Sequence, residues 1–308
     1  MAMPSQPPLD AQQALPLGPE GGNVGAVQSG WRLALREFMS NRLAVVGFAM
    51  IVFFVLFCFV GPLIYRTNQL DTNLIIANEA PSGAHLLGTD TNGFDELGRI
   101  MVGGQSALEI GFFAALVAIV IGSLWGAVSG LAGGIVDSAM MRVVDVFLSV
   151  PFLFVVLILA VKFGATVLSL SLVIGFFAWQ VPARLVRGEV LTLRERDFVL
   201  AARTAGSSSW RLISRHLLPN ALGVVIVNVT FQVADAILAV AYIGFLGFGL
   251  HFPNVDWGDQ LSAGTQYLQD GYWWLIYPVG ACIVLTVMAL NFIGDALRDS
   301  MDVRLRRR

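Results

Sequence analysis

The sequence predicts an all-α polytopic membrane protein with six transmembrane helices, and three observations carry that prediction. Of its 308 residues, 56% are hydrophobic and only 13% charged, about half the charged share of an ordinary soluble domain. The apolar residues gather in blocks of about 20 or more, which as helices cross the ~30 Å hydrocarbon layer of a bilayer. The basic residues, 18 arginines and Lys162, are placed asymmetrically. With the N-terminus inside, only Arg66, Arg99 and Lys162 fall on outer segments, which is the bias that orients membrane chains. Both termini are therefore expected in the cytoplasm. A net charge of −2 leaves no basic surplus for nucleic acid.

The elements follow in order. Residues 1–30 are rich in Pro, Gly, Gln and Ala and read as a disordered cytoplasmic tail. Residues 31–106 hold a first span, Leu43 to Tyr65, and an outer loop, Arg66 to Ser106, with five acids and two arginines. A core region over 107–300 holds the other five spans. The second span, Ala107 to Gly133, carries Ala114, Ala118, Gly122, Gly126, Gly130 and Gly134 at four-residue spacing. Small residues on one stripe let two helices approach closely in lipid. The third span, Met141 to Val161, contains Pro151. The fourth, Val167 to Leu185, follows after "KFGAT", so the two are expected to form a hairpin. At the inner edge, Arg142 and Asp145 are spaced to pair at i, i+3.

Residues 187–219 interrupt the apolar pattern. Arg187 to Thr204 reads as a helix with charges on its wet side, and Ala201, Ala202 and Ala205 make a small patch. Gly206 suits a helix C-cap, and Ser207 to Ser209 offer an N-cap for a second helix. That helix is expected to stop near Leu217, with Pro219 opening the fifth span. Trp210, Ile213 and Leu217 fall at i, i+3 and i+7, with Arg211 and Arg215 on another face. The segment is too short to span. It either anchors on lipid headgroups or docks in a groove of a partner.

The fifth span, Ala221 to Leu250, places Asn228, Gln232 and Asp235 at i, i+4 and i+7. Polar residues at membrane depth face protein or water, so this face borders either a polar path or a partner helix. An outer segment with Asp256, Asp259, Asp270 and no basic residue precedes the sixth span, Trp273 to Leu297. Residues 301–308 form a basic cytoplasmic tail.

No catalytic constellation emerges. Cys58 and Cys282 lie in apolar runs and read as structural thiols. By this topology His85 and His251 are outside and His216 inside, so the three cannot share a metal. A P-loop needs lysine after glycine and before Ser or Thr. Lys162, the only lysine, is followed by Phe163. A self-contained ion-coupled carrier would show inverted repeats around broken helices, and no such repeat is visible.

"LAARTAGSSSWRLISRHLLPN" resembles the EAA loop of ABC importer permeases. Ala201, Ala202, Gly206, Leu218 and Pro219 match that pattern with its full spacing. "WRLALREFMSNRLAVVGFAM", "HLLGTDTNGFDELGRIMVGGQSALEIG", "DSAMMRVVDVFLSVPFLF" and "FLGFGLHFPNVDWG" are similar to the C-type subunit of dipeptide and oligopeptide permeases. His216 stands where Ile is usual, and "RHLLPN" resembles the version in dipeptide and oligopeptide permeases; two departures stand out, Leu200 in place of the signature glutamate and Val240 where an acid is common. The resemblance implies a type I ABC importer permease fold in a prokaryotic plasma membrane. The implied partners are a second homologous permease subunit, two ABC ATPase subunits holding ATP and Mg, an extracytoplasmic substrate-binding protein and membrane lipid. It also implies a coupling helix whose contacts are Ala201, Ala202, Gly206, Ser209, Trp210, Ile213, Leu217 and Pro219, with no cofactor in this chain. Short peptides are the implied substrate class; nickel chelates, glutathione-like compounds and oligosaccharides are alternatives within the same subfamily.

Overall fold

The computed structural model describes residues 38–306, so the tail expected over 1–30 lies outside the described residues. The described chain is helical, and its one extended pairing is an isolated bridge between Thr89 and Asp95. Four helices are long and apolar enough to cross a membrane, and six spans result when each of two bent pairs counts as one.

Helix α1 (Arg42–Phe59) opens on Asn41, whose side-chain carbonyl accepts from the Leu43 and Ala44 amides. A single turn, α2 (Gly61–Ile64), extends it. Helix α3 (Glu96–Ala132) begins eleven residues before the expected start of the second span. The reason is a cap: the Asp95 carboxylate accepts from Gly98 N at 2.9 Å, and Glu96 follows in the first turn. At 1.5 Å per residue α3 is ~55 Å long, so one end projects beyond a bilayer.

The third span is not one helix. Val150 takes an extended conformation ahead of Pro151, as the residue before proline is driven to do. Helices α4 (Gly134–Ser149) and α5 (Phe152–Phe163) therefore meet at 78°. Helices α6 (Val167–Phe176) and α7 (Gln180–Leu193) bend by 46° within the fourth span expected over Val167–Leu185. Thr166 and Ser169 form a reciprocal capping box at the start of α6. Helix α7 takes in Arg187, so the helix expected over Arg187–Thr204 is split. Its second half is α8 (Asp197–Thr204), folded back so that Val199 and Val190 share one core.

After Gly206 comes the short α9 (Ser209–Leu212). It does not stop before Pro219. A π turn over Ile213–Leu217 carries it into α10 (Leu218–Phe245) without a break. The Leu218 amide reaches back five residues to the Ile213 carbonyl, and the Asn220 side chain donates to the His216 carbonyl at 2.6 Å. The wider turn accommodates a proline that has no amide hydrogen to give. Helix α11 (Trp257–Thr265) lies between the fifth and sixth spans, and α12 (Tyr277–Arg306) closes the fold, running well into the expected tail.

Helix α3 is the central post. Its small-residue stripe packs on α7: a methyl at Gly122 would stand 2.6 Å from the Trp179 carbonyl oxygen, and one at Gly130 would stand 2.9 Å from Val190. The packing seam read from the spacing is thus present from Ala118 to Gly130, all buried. Gly134 leaves it, because the chain turns at Gly133 and Gly134 with φ of +66° and +55°. One apolar core joins α3 to α5, α6 and α10, and a second joins α3 to α7, α8 and the π turn. A third, around Phe54, Cys58, Ile100 and Trp257, ties α1 and α12 to α3 and α11. The Trp257 indole donates to the Ile100 carbonyl at 2.9 Å there.

Candidate functional site

Two features carry functional geometry, and α10 joins them. The first is the arginine-rich ledge between α7 and α10. The Gly206 amide donates to the Arg203 carbonyl at 3.0 Å, and the Ser207 amide to the Ala202 carbonyl at 3.1 Å. With φ of +80° at Gly206, this is a Schellman stop that a Cβ would strain. Ser208 then caps the next turn, its hydroxyl accepting from Arg211 N at 3.4 Å. Ser209 is the first residue of α9 and is exposed.

The side chains predicted for the ledge part into two groups. Ile213 and Leu217, at 4% and 0% exposure, pack with Leu212 and Val199 into the core beneath. They hold the ledge in place. Ala201, Gly206, Ser209 and Pro219 are exposed, and Ala202 is half-buried. Trp210 is 63% exposed, and Phe198 and Leu200 on α8 are each 43% exposed. Large apolar side chains left exposed on an arginine-rich loop suit contact with a partner. Leu200 therefore makes the ledge apolar where the family signature would make it acidic. His216 has its own role: its ring lies 6.5 Å from that of Phe198, bracing α8 against the π turn.

Charge ties this ledge to the spans. Arg187, on the helix leading into it, grips Asp137 of α4 through Nε and Nη2, both at 2.6 Å. Ser129 of α3 donates to the same carboxylate. Arg194 donates through Nη1 to the Gly130 carbonyl at 2.9 Å. Asp145 pairs with Arg142, as the spacing predicts, and also with Arg184.

The second feature is a stripe along α10. Val224, Val227, Asn228 and Phe231 line a cavity of about 310 Å³ that Leu185, Arg298 and Met301 complete. Of the three polar residues expected on one face, Asn228 and Gln232 are buried and Asp235 is exposed. Gln232 donates to the Ala178 carbonyl at 3.3 Å, a bond to the turn between α6 and α7. The Asn228 carbonyl oxygen is buried without a partner beside the cavity. Asp235 lies four residues beyond Phe231, so it continues the stripe toward the acidic end. Val240, where the signature carries an acid, is 1% exposed in the core between α3, α5 and α6.

Comparison with known proteins gives the family. The model of the binding-protein-dependent transport system inner membrane component matches residues 107–307, and that of the N-terminal transmembrane domain of oligopeptide transport permease C matches residues 29–81. The oligopeptide transport system permease protein OppC of Escherichia coli K12 is 40% identical over 88% of this chain and 90% of its own. OppC of Bacillus subtilis is 37% identical over 90% of each. The dipeptide transport system permease protein DppC of B. subtilis is 35% identical over 89% and 86%. Among solved structures, a chain of the MetNI methionine ABC transporter in inward-facing conformations shares the fold, with a TM-score of 0.50 at 23% identity over 64% of this chain and 94% of that one. The chain belongs to the family of binding-protein-dependent transport system inner membrane components.

Proposed function

We propose that this chain is one of two permease subunits of an ATP-driven importer of short peptides, with the arginine-rich end in the cytoplasm. The observation that carries the reading is the ledge: exposed Phe198, Leu200 and Trp210 beside a glycine-locked turn, continuous through the π turn with the helix that bears the polar stripe. The peptide class rests on the names of the relatives, OppC and DppC.

Two ATPase subunits bind ATP and Mg and dock beneath the membrane, one of them receiving the ledge. Lys162 lacks the neighbours of a P-loop, so the nucleotide belongs to the partners. Closure of the ATPases displaces the ledge, and α10 passes the displacement to the spans. Nucleotide thereby biases two states of the membrane part. A second, homologous permease covers the stripe from Asn228 to Asp235, and an extracytoplasmic binding protein delivers substrate at the acidic end. An exposed carboxylate at span depth is costly against lipid and tolerable beside water, which supports a water-filled path along this face.

The test is uptake by the complete complex in proteoliposomes. Gly206→Pro and Trp210→Asp are expected to lower ATP-dependent peptide uptake at least tenfold and to uncouple hydrolysis from transport, while the chain still inserts. Normal uptake by both variants would remove the docking role. Uptake driven by an ion gradient without the ATPases would replace the reading with an ion-coupled carrier.

A further inference from the structure

At the acidic end, away from the ledge and the stripe, α3 and α11 enclose a small cavity of about 70 Å³. Asp90, Thr91, Asn92, Glu96, Arg99, Asp259 and Gln260 form its polar lining. Most polar groups in this region are fully engaged, as buried groups must be; three at the cavity are not. Glu96 Oε1 and Gln260 Oε1, on residues 2% and 7% exposed, have no hydrogen-bond partner, and neither has Arg99 Nη1. The Gln260 amide cannot simply turn over. Its Nε2 donates to the Arg99 carbonyl at 3.1 Å, which leaves Oε1 free on the other side.

The unpartnered set holds two oxygens, with the Asp259 carboxylate beside them, and one donor; burial pushes the Glu96 carboxyl up to about 8, so Asp259 supplies the standing charge and Glu96 ionises as a cation arrives. The positive ends of α3 and α11 do not favour an anion here, because Asp95 and Asp256 already cap their first turns. Arg99 is also balanced, with Nε 3.5 Å from Asp90 and its guanidinium 4.4 Å above the Phe94 ring. The cavity therefore suits a small cation that carries an acceptor of its own for Arg99 Nη1. A bare lysine tip has the charge without the acceptor. No group of three metal-binding side chains occurs among the described residues.

We infer that this cavity receives the free amino terminus of a peptide, with its ammonium held by Glu96, Asp259 and Gln260 Oε1 and its first carbonyl oxygen accepting from Arg99 Nη1. Every unmodified peptide carries that pair of groups whatever its side chains, so the site reads the class and not the sequence. The volume admits only the chain end, and the remainder extends through the open mouth. The identification of the ligand as a peptide rests on the proposed function; the chemistry of the cavity does not.

The experiment is saturation-transfer NMR on the complete complex in nanodiscs, without nucleotide, using three probes: alaninamide, N-acetylalaninamide and ethylammonium. Alaninamide is expected to bind at least tenfold more tightly than the other two. Asp259→Asn is expected to lose most of that advantage, and Glu96→Gln the same. Equal binding of alaninamide and N-acetylalaninamide, or unchanged binding by Asp259→Asn, overturns the assignment. Equal binding of ethylammonium overturns the carbonyl contact and with it the peptide terminus. The assay needs neither ATP nor transport, so a negative result beside normal peptide uptake removes this site alone.

Discussion

Single residues show where this chain departs from its family and how the fold absorbs each change. Val240 is the clearest. It is sealed in an apolar core with Ile110, Val156 and Ile174, so restoring an acid there puts a charge where nothing compensates it. Val240→Glu is expected to cost several kcal/mol, on the order of the ~1–3 kcal/mol of an unpaired polar group plus the charge itself. Loss of folded protein in detergent, measured by size-exclusion chromatography, is the check. Leu200 was legible as a departure and His216 as a variant position, but their roles were not. That His216 braces Phe198, and that Leu200 stays exposed, depends on how α8 packs, which no local pattern encodes. The i, i+3, i+7 spacing of Trp210, Ile213 and Leu217 described one helical face correctly as arithmetic. The π turn and the core beneath it then divided that face between outside and inside.

At the scale of elements, six apolar blocks and their order were readable because hydrophobic length is written directly into composition. The bends were not, although Pro151 announced one of them. A proline within an apolar run marks a break, but not its angle; α4 is held instead by contacts of Phe147 with Phe176, Phe177 and Trp179, which are distant in sequence. The small-residue stripe was legible and its partner, α7, was not, since contacts between spans are tertiary. Gly126→Leu is expected to force α3 and α7 apart at a cost of ~1–3 kcal/mol or more, lowering the unfolding temperature in detergent while the helix content stays unchanged. The capped helix α11 carries a pH signature. Burial pushes the carboxyls of Asp256 and Asp259 above the usual aspartate range, opposed by backbone amides at Asp256 and by Arg99 and His251 at Asp259. A raised folded-state pKa means that the native form binds protons more readily than the unfolded one. Stability is then fullest below the ordinary aspartate value and falls as pH rises through the shifted one. Amides of α11 are expected to exchange faster at pH 7.5 than at pH 3.5, after correction for intrinsic rates, and Asp259→Asn should flatten the difference.

Across the whole molecule, the two ends have different construction. The acidic end is a fitted cap, where Tyr65 and His85 converge on Asp95 at 2.7 and 2.9 Å and the Trp274 indole donates to the Thr89 carbonyl. The arginine-rich end is tied by charge, with Arg187 and Asp137 at its centre. That pair is partly open to solvent, so its net worth to stability is modest, ~1 kcal/mol or so. Its larger consequence is alignment of α7 with α4 and α3. Arg187→Asp is expected to reduce uptake several-fold, and the added exchange Asp137→Arg to recover much of it; failure of the double variant to recover would show that the pair is not what aligns these helices. Finally, the unbroken run from Ser209 to Phe245 makes the ledge and the stripe parts of one rod. At 1.5 Å per residue the rod is ~55 Å long, and a tilt of about 10° at its foot sweeps its far end through ~10 Å. Pro219 could have made a hinge that dissipates such a tilt; the π turn absorbs the proline and leaves a lever arm.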